Sequence, residues 1–453
     1  MGFDTTTHSF WQRASGAYEP EPPLAEDIKV DVLIVGGGYS GLSTGWNLKT
    51  AHPGMSVAVV EAEVIGFGAS GRNGGFVSEA FGLPGVTERR FGHQRMIEGL
   101  QYVRRGVEYV RDLIATHQLD SDYETPGVLG ISFRDIEPTV IEAQLRQFEA
   151  VGYGSQVRVR DRQSLQEEFG SPMFRAGIEV IDSARLNPLK HVRALKRLAL
   201  AAGVAIYEHT PAEHIAVGTH VSVRTPAGTV TAEKCVLATN AFTHLLRGVP
   251  GVTRKQIPNW SYQIATAPLT TTQREAIGWK KRQGLNTMRT MLHYASLTRE
   301  GRIVFGGGDI GFAYGREMGR DWNGSVWAKM YSHLIGLFPA LKGIRIEDRW
   351  GGPVSLAVEM APIIGTQERG RVLYSCACSG HGVALAHLNG KTLADLALGV
   401  RSDLTDVWFV NRTVVSWPPS WVTYPACLLG RRALNLLDAY QERGVWAARS
   451  YTD

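Results

Sequence analysis

The hydrophobic positions near the start of this chain alternate between strand-like and helix-like patterns. Residues 30–35 (VDVLIV) form a short, nearly continuous apolar run, which is typical of a strand buried on both faces of a parallel sheet. Residues 36–41 (GGGYSG) follow at once, residues 42–49 have a helical pattern, and residues 57–60 are a second buried strand that ends at Glu61. This order predicts one β-α-β unit of about thirty residues.

The same patterns extend along the rest of the chain. Apolar residues at three- and four-residue spacing predict helices over 86–117, 139–151, 188–202, 327–338 and 383–398. Short apolar runs predict strands at 127–133, 204–207, 221–225, 235–238 and 372–376, and residues 261–305 are mostly extended. Three segments in which a strand runs into glycines, near 30–80, 200–240 and 370–385, are predicted to form one α/β domain.

The tail from Trp417 onward is proline-rich and then helical. Its helix is amphipathic, with Arg431 and Arg432 on or beside the polar side and an apolar side made of Leu428, Leu429, Ala433, Leu436, Leu437 and Tyr440. We expect the apolar side to dock on the protein, with contact to a membrane surface as the alternative.

Composition excludes several classes of protein. The 453 residues are 44% hydrophobic and 20% charged, which excludes a largely disordered chain. The chain has 48 Lys and Arg residues against 43 Asp and Glu residues. It contains no run of five or more like charges, so its charge pattern does not indicate binding to nucleic acid. No apolar stretch reaches the roughly 18 residues of a spanning helix. The four scattered cysteines, which are expected to be buried thiols with no metal-site spacing, favour a reduced, cytoplasmic protein.

Glycine is the outlier, with 51 residues that fall into clusters. The first cluster, Gly36-x-Gly38-x-x-Gly41, follows a predicted strand, opens a predicted helix and is followed by Glu61 at the end of the next strand. In this context the pattern is the dinucleotide fingerprint: a tight turn, a close backbone approach to a pyrophosphate, and close helix–strand packing. Glu61 can accept hydrogen bonds from an adenosine ribose.

Two further clusters lie at predicted strand ends or helix starts. Residues 66–75 (GFGASGRNGG) begin five residues after Glu61, and their small residues let backbone lie against a ligand while Arg72 and Asn73 supply donors. Residues 379–383 (SGHGV) precede a helix whose N–H groups and dipole can stabilise negative charge on a bound ring. If no ligand is bound, the alternative for residues 66–75 is a flexible loop, and the alternative for residues 379–383 is an ordinary helix start.

The ordered set of motifs resembles the D-amino-acid oxidase/glycine oxidase family of FAD-dependent oxidoreductases, and within it the γ-glutamylputrescine-oxidase-like branch. The resemblance rests on residues 31–42 (DVLIVGGGYSGL), 66–75, 236–243 (VLATNAFT), 301–307 (GRIVFGG), 350–352 (WGG) with 362–365 (PIIG), and 379–382 (SGHG). It covers nearly the whole chain from Trp11 onward.

The resemblance implies an FAD held in extended form by residues of all these motifs. The pyrophosphate and ribose would be held by Gly36, Gly38, Tyr39, Ser40, Gly41, Glu61 and Ala62, with Ala212 near the adenine. The flavin side would be held by Gly68, Ala69, Ser70, Gly71, Arg72, Asn73, Gly74, Gly75, Thr239, Asn240, Gly352, Gly380, His381, Gly382 and Val383.

Departures from the family pattern limit what transfers. Family members with covalent flavin use a cysteine after the Trp-Gly strand or a histidine in the second glycine motif, and this chain has neither there. We therefore predict non-covalent FAD. Asn286, Ser296 and Glu359 stand where the family commonly has other residues. The resemblance therefore predicts the cofactor but not the identity of the substrate.

The domain organisation implied is a mixed α/β (α+β) fold. Residues 1–83, 181–245 and 346–400 would form a discontinuous, Rossmann-like FAD-binding domain. Residues 84–180 and 246–345 would form an inserted substrate domain with an antiparallel sheet, and residues 401–453 a C-terminal tail whose helix docks on the body.

The predicted function is oxidation of a C–N bond of an amine or amino acid to an imine, with hydride transfer to flavin and O2 reduced to hydrogen peroxide. Candidate catalytic or substrate contacts are His293, Tyr294, Tyr262 and His381, and each of the substrate-domain aromatics has a core position as its alternative. Two other functions stay open: a dehydrogenase of the same fold that passes electrons to a quinone or carrier protein, and a non-catalytic flavin-binding protein.

Overall fold

A computed structural model describes residues 9–78 and 80–442 of the chain. The strands, in chain order, are β1 (Ile28–Val35), β2 (Val57–Val60), β3 (Phe76–Val77), β4 (Val128–Ser132), β5 (Val157–Arg160), β6 (Ala176–Val180), β7 (Ala184–Arg185), β8 (Ala205–Tyr207), β9 (His214–Val217), β10 (Val221–Arg224), β11 (Thr229–Leu237), β12 (Ile257–Thr266), β13 (Gly284–Thr287), β14 (His293–Leu297), β15 (Ile303–Phe312), β16 (Ile346–Leu356), β17 (Ile363–Gln367) and β18 (Val372–Cys376).

The helices, in chain order, are α1 (Phe10–Ala14), α2 (Tyr39–Ala51), α3 (Pro84–Phe91), α4 (His93–His117), α5 (Pro138–Ala150), α6 (Arg162–Glu168), α7 (Pro188–Ala201), α8 (Pro250–Thr253), α9 (Thr271–Ile277), α10 (Gly324–Leu337), α11 (Gly382–Leu398) and α12 (Ser420–Gln441). Short 3-10 turns at Ala69–Gly71 and Asn240–Leu245 complete the segments that matter for the site.

The first sheet has the strand order β17-β18-β11-β1-β2-β8, with the β9–β10 hairpin paired to β11. β18, β11, β1, β2 and β8 are parallel, so their carboxyl ends meet at one edge of the sheet. Leu33 and Ile34 in the central strand are fully buried, which explains its unbroken apolar sequence. The predicted Rossmann-like sheet is confirmed, and its carboxyl edge is where open α/β sheets bind ligands.

The second sheet has the order β16-β12-β15-β14-β13-β4-β6-β5. It is antiparallel as predicted except for one pair, because β13 runs parallel to β4. One face packs against α10 and an aromatic core that includes Trp260, Trp279 and Phe338. The other face turns toward the first sheet, where Ala265, Val304 and Trp350 join the main core of the molecule.

Two expected domain limits are corrected by this packing. β16 pairs with β12 along its whole length, so residues 346–356 belong to the second sheet and not to the FAD-binding domain. α4 was placed in the substrate domain, but its apolar stripe packs on α11 in the core of the first domain. A Cβ on Gly106 would lie 2.8 Å from the carbonyl oxygen of Ala384, so the two helices approach closely there.

The helix predicted over 86–117 is interrupted. α3 ends and α4 begins at Gly92, whose φ of +88° and ψ of 161° leave the helical region. Residues with a side chain rarely adopt this φ, so Gly92 allows the helix to break. The spacing of apolar residues alone does not reveal this break.

α12 packs on the second sheet through its polar side, whereas the sequence predicted that its apolar side would dock. Asp438 is buried and accepts hydrogen bonds from the backbone N–H groups of Thr290 and Met291, at 2.9 Å each. Arg431 pairs with Asp309 through both of its carboxylate oxygens, at 2.6 and 2.8 Å. The polar side therefore docks, and the residues that face outward are mostly apolar. The rest of the predicted tail, residues 443–453, lies outside the described residues.

None of the helices in the described ranges is long and apolar enough to span a membrane.

Candidate active site

The turn between β1 and α2 needs its glycines for three separate reasons. Gly36 has a φ of +108°, and a Cβ there would lie 2.8 Å from the carbonyl oxygen of Ala238 at the end of β11. A Cβ on Gly41 would lie 1.9 Å from the carbonyl oxygen of Gly36, so only glycine lets the helix pack this close to the strand. Gly38 caps α2 without a side chain, which leaves the first N–H groups of the helix accessible from the turn.

Glu61 lies beside this turn at the end of β2. Its Oε2 accepts a hydrogen bond from the N–H of Gly37 at 2.7 Å, and its Oε1 accepts one from the N–H of Glu63 at 3.1 Å. Burial raises its pKa despite these two N–H donors. Its own carbonyl oxygen accepts from the N–H of Thr210 at 2.7 Å, which brings the segment of Ala212 next to this carboxylate, while Ala62 is exposed.

The second glycine segment is tied to the first. Gly68 precedes the turn Ala69–Gly71, and Ser70 Oγ accepts a hydrogen bond from the N–H of Tyr39 at 3.0 Å. Gly75 has a φ of +76°, and a Cβ there would lie 2.1 Å from the carbonyl oxygen of Leu186. The two motifs that were predicted to hold opposite parts of the cofactor are therefore neighbours.

Arg72 and Asn73 brace this loop from within the protein. Arg72 Nη1 donates to Asp321 Oδ2 at 2.6 Å and to the carbonyl oxygen of Gly351 at 3.2 Å. Asn73 Oδ1 accepts from the N–H of Gly75 at 2.8 Å, and its Nδ2 donates to the carbonyl oxygen of Ala69 at 3.0 Å. These contacts fix the loop shape, and hydrogen bonds from the same side chains to a cofactor stay a prediction.

The third glycine segment is held in an unusual backbone conformation. The backbone φ values of Ala377, Ser379 and Gly380 are +62°, +50° and +88°. Residues other than glycine rarely adopt such values, so Ala377 and Ser379 need stabilising contacts from the surrounding structure. Ser355 supplies them: its Oγ accepts from the N–H of Ala377 at 3.0 Å and its carbonyl oxygen accepts from the N–H of Ser379 at 3.1 Å. The loop leads into α11 at Gly382 and Val383.

The N-terminal halves of α2 and α11 lie side by side. Ser40 Oγ donates to the carbonyl oxygen of Ala386 at 3.0 Å, and Ser43 Oγ donates to that of His387 at 2.7 Å. Both helices begin at the carboxyl edge of the first sheet, so two helix N-termini are directed to one region, where the first N–H group of α2, that of Tyr39, is paired with Ser70 Oγ.

Buried polar atoms without a partner lie in the same region. Asn240 Oδ1, Asn259 Oδ1, Gln263 Oε1 and His381 Nδ1 have no hydrogen-bond partner among the described residues. Burial lowers the pKa of His381 to about 4, so its ring is neutral at pH 7. Acceptors and a ring nitrogen of this kind suit a large, polar, extended ligand, and FAD fits them together with the glycine turns.

Of the four catalytic candidates, Tyr294 and His381 face this region. A Cβ on Gly74 would lie 2.9 Å from Tyr294 Cε2, and the Tyr294 hydroxyl lies 3.2 Å from Ser261 Oγ. Burial raises the pKa of Tyr294 to about 12, so the phenol is protonated at neutral pH.

Tyr262 and His293 lie on the opposite face of the second sheet. The Tyr262 hydroxyl donates to the carbonyl oxygen of Arg320 at 2.9 Å, and its ring packs on Trp327. His293 Nε2 lies 2.6 Å from His333 Nδ1, and burial lowers the pKa of His293 well below its usual value. The structure gives both side chains the core position that the sequence left open as their alternative.

Ser261 and Gln263, which the sequence pattern did not single out, face the glycine loop together with Trp350 of the WGG motif. Gln263 Nε2 and Trp350 Nε1 both donate to the carbonyl oxygen of Arg72, at 2.5 and 3.0 Å. Side chains alternate between the two faces of a strand, so the positions next to Tyr262 along β12, Ser261 and Gln263, face the loop. This period-2 signal could have found them.

Comparison with known proteins identifies the family of this chain. The sequence profile of the DAO family, described as FAD dependent oxidoreductase, matches residues 31–396. The chain is 31% identical over 396 residues to the gamma-glutamylputrescine oxidoreductase of Escherichia coli strain K12, covering 87% of this chain and 89% of that one.

Solved structures share the fold. L-proline dehydrogenase from P. horikoshii superposes with a TM-score of 0.72 at 19% identity, covering 85% of this chain and 97% of its own. Glycine oxidase from Geobacillus kaustophilus gives 0.70 at 17% identity, covering 85% and 100%. The predicted FAD cofactor and the predicted class of C–N oxidoreductase are confirmed through the family. The chain belongs to the DAO family of FAD-dependent oxidoreductases.

Proposed function

We propose that this protein is an FAD-dependent oxidase that converts a small amine or amino acid to the imine, which water then hydrolyses, and that it reduces O2 to hydrogen peroxide. The observation that carries the proposal is the meeting of three glycine segments and two helix N-termini at the carboxyl edge of one parallel sheet, opposite the polar face of the second sheet. Bound FAD supplies the acceptor for the hydride that leaves the carbon next to nitrogen.

The residues around the site have four tasks in this proposal. The turn at Gly36 to Gly41 and the carboxylate of Glu61 hold the pyrophosphate and ribose. The start of α11 directs N–H groups and a positive dipole end at the ring, which stabilises negative charge there. Tyr294, Gln263 and Ser261 form the polar wall on the substrate side. The neutral ring of His381 borders the same loop as an uncharged contact.

Non-covalent attachment is part of the proposal. Cys376 lies in β18, just before the third glycine segment, and is buried. This burial raises the pKa of its thiol to about 12. A protonated, buried thiol is a poor nucleophile toward a flavin ring. Precipitation of the holoprotein with acid should therefore leave the yellow flavin in the supernatant, and a yellow pellet would contradict this part.

The decisive experiment is an anaerobic screen of amines and amino acids against the FAD-loaded protein. A substrate should bleach the flavin band, and air should restore it with release of hydrogen peroxide. Protein that carries no flavin after reconstitution would refute the oxidase. Bleaching by any amine would exclude a non-catalytic flavin-binding protein.

A second candidate is a dehydrogenase of the same fold that passes electrons to a quinone or a carrier protein. It is favoured by the outward apolar side of α12, where Trp421 and Leu429 are each 70% exposed and Leu436 is 63% exposed. Stopped-flow mixing of the reduced protein with O2 separates the two candidates. Fast reoxidation supports the oxidase, and slow reoxidation supports the dehydrogenase.

A further inference from the structure

The outward side of α12 carries a regular apolar stripe. Its members follow one another at intervals of alternately four and three residues, and they are Val422, Ala426, Leu429, Ala433, Leu436 and Tyr440. Val422 is half-buried and the other five are exposed. Such a narrow stripe, at alternating intervals of four and three, is the pattern by which one helix packs along another in a coiled coil. These six residues are named the α12 seam.

The side of α12 opposite the seam fixes the helix on the body of the protein. Tyr424, Arg431 and Asp438 are spaced seven residues apart, and a rotation of 100° per residue places them about half a turn from the seam. The ring of Tyr424 packs edge-on against Tyr314, Arg431 pairs with Asp309, and Asp438 accepts two backbone N–H groups. The docked helix therefore presents the seam to the outside.

Small residues lie in and beside the seam without a reason in the packing of this chain. Ala426, Gly430 and Ala433 are all exposed, and a Cβ on Gly430 would meet no atom within 4 Å. Glycine in the middle of a helix is unfavourable relative to alanine, so this exposed glycine weakens α12 without a contact that requires it. A second helix packed against the seam supplies the reason, because small side chains let two helix axes approach closely.

The apolar surface of this side is large enough for a dimer. Leu429, Leu436, Leu437 and Tyr440 are 70%, 63%, 43% and 64% exposed. At ~200 Å² for a large side chain, these four residues present about 500 Å². Two copies that meet here would bury about 1,000 Å² from these side chains alone, which reaches the total area of a specific interface.

We propose that the α12 seam binds the α12 seam of a second copy of this chain, with the two helices antiparallel in a two-fold dimer. A two-fold contact needs a patch that is complementary to itself. When antiparallel helices cross at residue 431, Leu429 faces Ala433 of the second copy and Leu436 faces its Ala426. Every layer then pairs a leucine with an alanine, whereas parallel helices would stack leucine on leucine and alanine on alanine in layers of unequal volume.

A lipid surface accounts for less of what α12 shows. Among residues 422–440 in and beside the seam, Arg432 is the one charged residue. Helices that lie in a membrane interface are typically rich in Lys and Arg. A lipid surface also needs apolar area alone and gives no reason for the alternation of leucine with alanine. The second copy accounts for both the area and the spacing.

The first test is sedimentation velocity of the FAD-loaded, full-length protein over a range of concentrations. A species of twice the mass of the chain is expected, with a fraction that rises with concentration. Leu429→Gln removes an apolar contact from each copy, and therefore twice from one dimer, so Kd for the dimer should rise at least about tenfold. Leu434→Gln is the matched control, because Leu434 lies on the same helix outside the seam and its loss should leave Kd unchanged. A protein that is monomeric throughout overturns the proposal, as do equal Kd values for the two variants.

Cross-linking tests the direction of the helices in a Cys427→Ser background, in which the three remaining cysteines are buried. Arg432→Cys brings the thiols of the two copies close to the two-fold axis. Tyr440→Cys puts them ~27 Å apart along the seam, because Tyr440 faces Val422 of the second copy and eighteen residues of helix separate the two positions. A bis-maleimide that spans ~10 Å, the distance between packed helix axes, should therefore join the first variant and not the second. Efficient joining of Tyr440→Cys overturns the antiparallel arrangement.

The remaining occupants are separated by two further measurements. Protein that binds vesicles of phosphatidylcholine and phosphatidylglycerol, and forms no dimer in solution, would assign the seam to a lipid surface. A dimer formed only by a chain that ends at Glu442 would assign the seam to residues 443–453. Either result overturns the proposal. None of these measurements needs turnover, so the dimer is tested independently of the proposed oxidase.

Discussion

The close approach of α2 to β1 can be tested by adding a single methyl group. In Gly41→Ala the new Cβ would lie 1.9 Å from the carbonyl oxygen of Gly36, whereas real Cβ contacts essentially never fall below 3.0 Å. The obstacle is backbone, so the start of α2 must move by about 1.1 Å, the difference between those two distances. A shift of this size takes the first N–H groups of the helix out of hydrogen-bond range of a bound phosphate.

The expected magnitudes for Gly41→Ala differ between stability and cofactor binding. Overpacking destabilises by about 1–3 kcal/mol, and the helix propensity of alanine returns about 1 kcal/mol, so the apoprotein should lose about 2 kcal/mol or less. Loss of one hydrogen bond to a charged phosphate corresponds to about 1.5–3 kcal/mol, so Kd for FAD should rise about 10- to 100-fold.

The assay is titration of the apoprotein with FAD, followed by quenching of flavin fluorescence. Gly45→Ala is the matched control on the same helix, because its Cβ would meet side-chain carbons of Val204 and Ile34 at 3.3–3.4 Å, which can yield. Thermal melts of both apoproteins separate loss of binding from loss of fold. If Gly41→Ala binds FAD as tightly as Gly45→Ala, the role assigned to this approach is wrong.

Three other changes test the packing around the site. Burial lowers the pKa of His387 to about 4, so below its usual pKa near 6.5 the unfolded chain binds a proton that the folded chain does not. Stability should therefore fall from pH 6.5 toward 4, by up to about 2 kcal/mol at pH 5, and His387→Gln should flatten that slope in urea unfolding. Asp438→Ala leaves two backbone N–H groups unpaired and should destabilise by about 2–3 kcal/mol, whereas Leu436→Ser, exposed on the same helix, should change stability by ~0.5 kcal/mol or less. Asp321→Ala removes the carboxylate by which the loop between β15 and α10 holds Arg72 of the second glycine segment. It should destabilise by about 1–3 kcal/mol in urea unfolding, and an unchanged midpoint would refute the bracing role.

The cofactor side could be predicted from the sequence because its constraints are local. A positive φ at Gly36, a close approach at Gly41 and a carboxylate at the end of the next strand all lie within thirty residues of one another. Each of these constraints requires a particular residue type at a fixed spacing in the sequence. The N-cap of α7 is similarly local: Asn187 Oδ1 accepts from the N–H groups of Leu189 and Lys190, and Pro188 is the first residue of the helix.

The substrate side could not be predicted as far, because its arrangement depends on contacts distant in sequence. The apolar stripe of α4 indicates a buried face, but nothing in that stripe names α11 as the partner across some 280 residues. Tyr262 and His293 were chosen for their chemistry, and the pleat of their strands turns both away from the glycine loop. Register decides which face a strand residue occupies, and register is set by the partner strand.

The orientation of α12 shows why an amphipathic pattern gives a helix two sides without saying which one binds the protein. The surface that receives it presents the N–H groups of Thr290 and Met291 and the carboxylate of Asp309. Burial acts to raise the pKa of Asp309, but the guanidinium of Arg431 outweighs it and lowers that pKa, so the pair is ionic when docked. An apolar side placed there would leave the two N–H groups without acceptors, at about 1–3 kcal/mol each, and the carboxylate of Asp309 with the N–H of Ile310 as its remaining donor. The polar side of α12 satisfies them, so the receiving surface decides the orientation and the apolar residues are left facing outward.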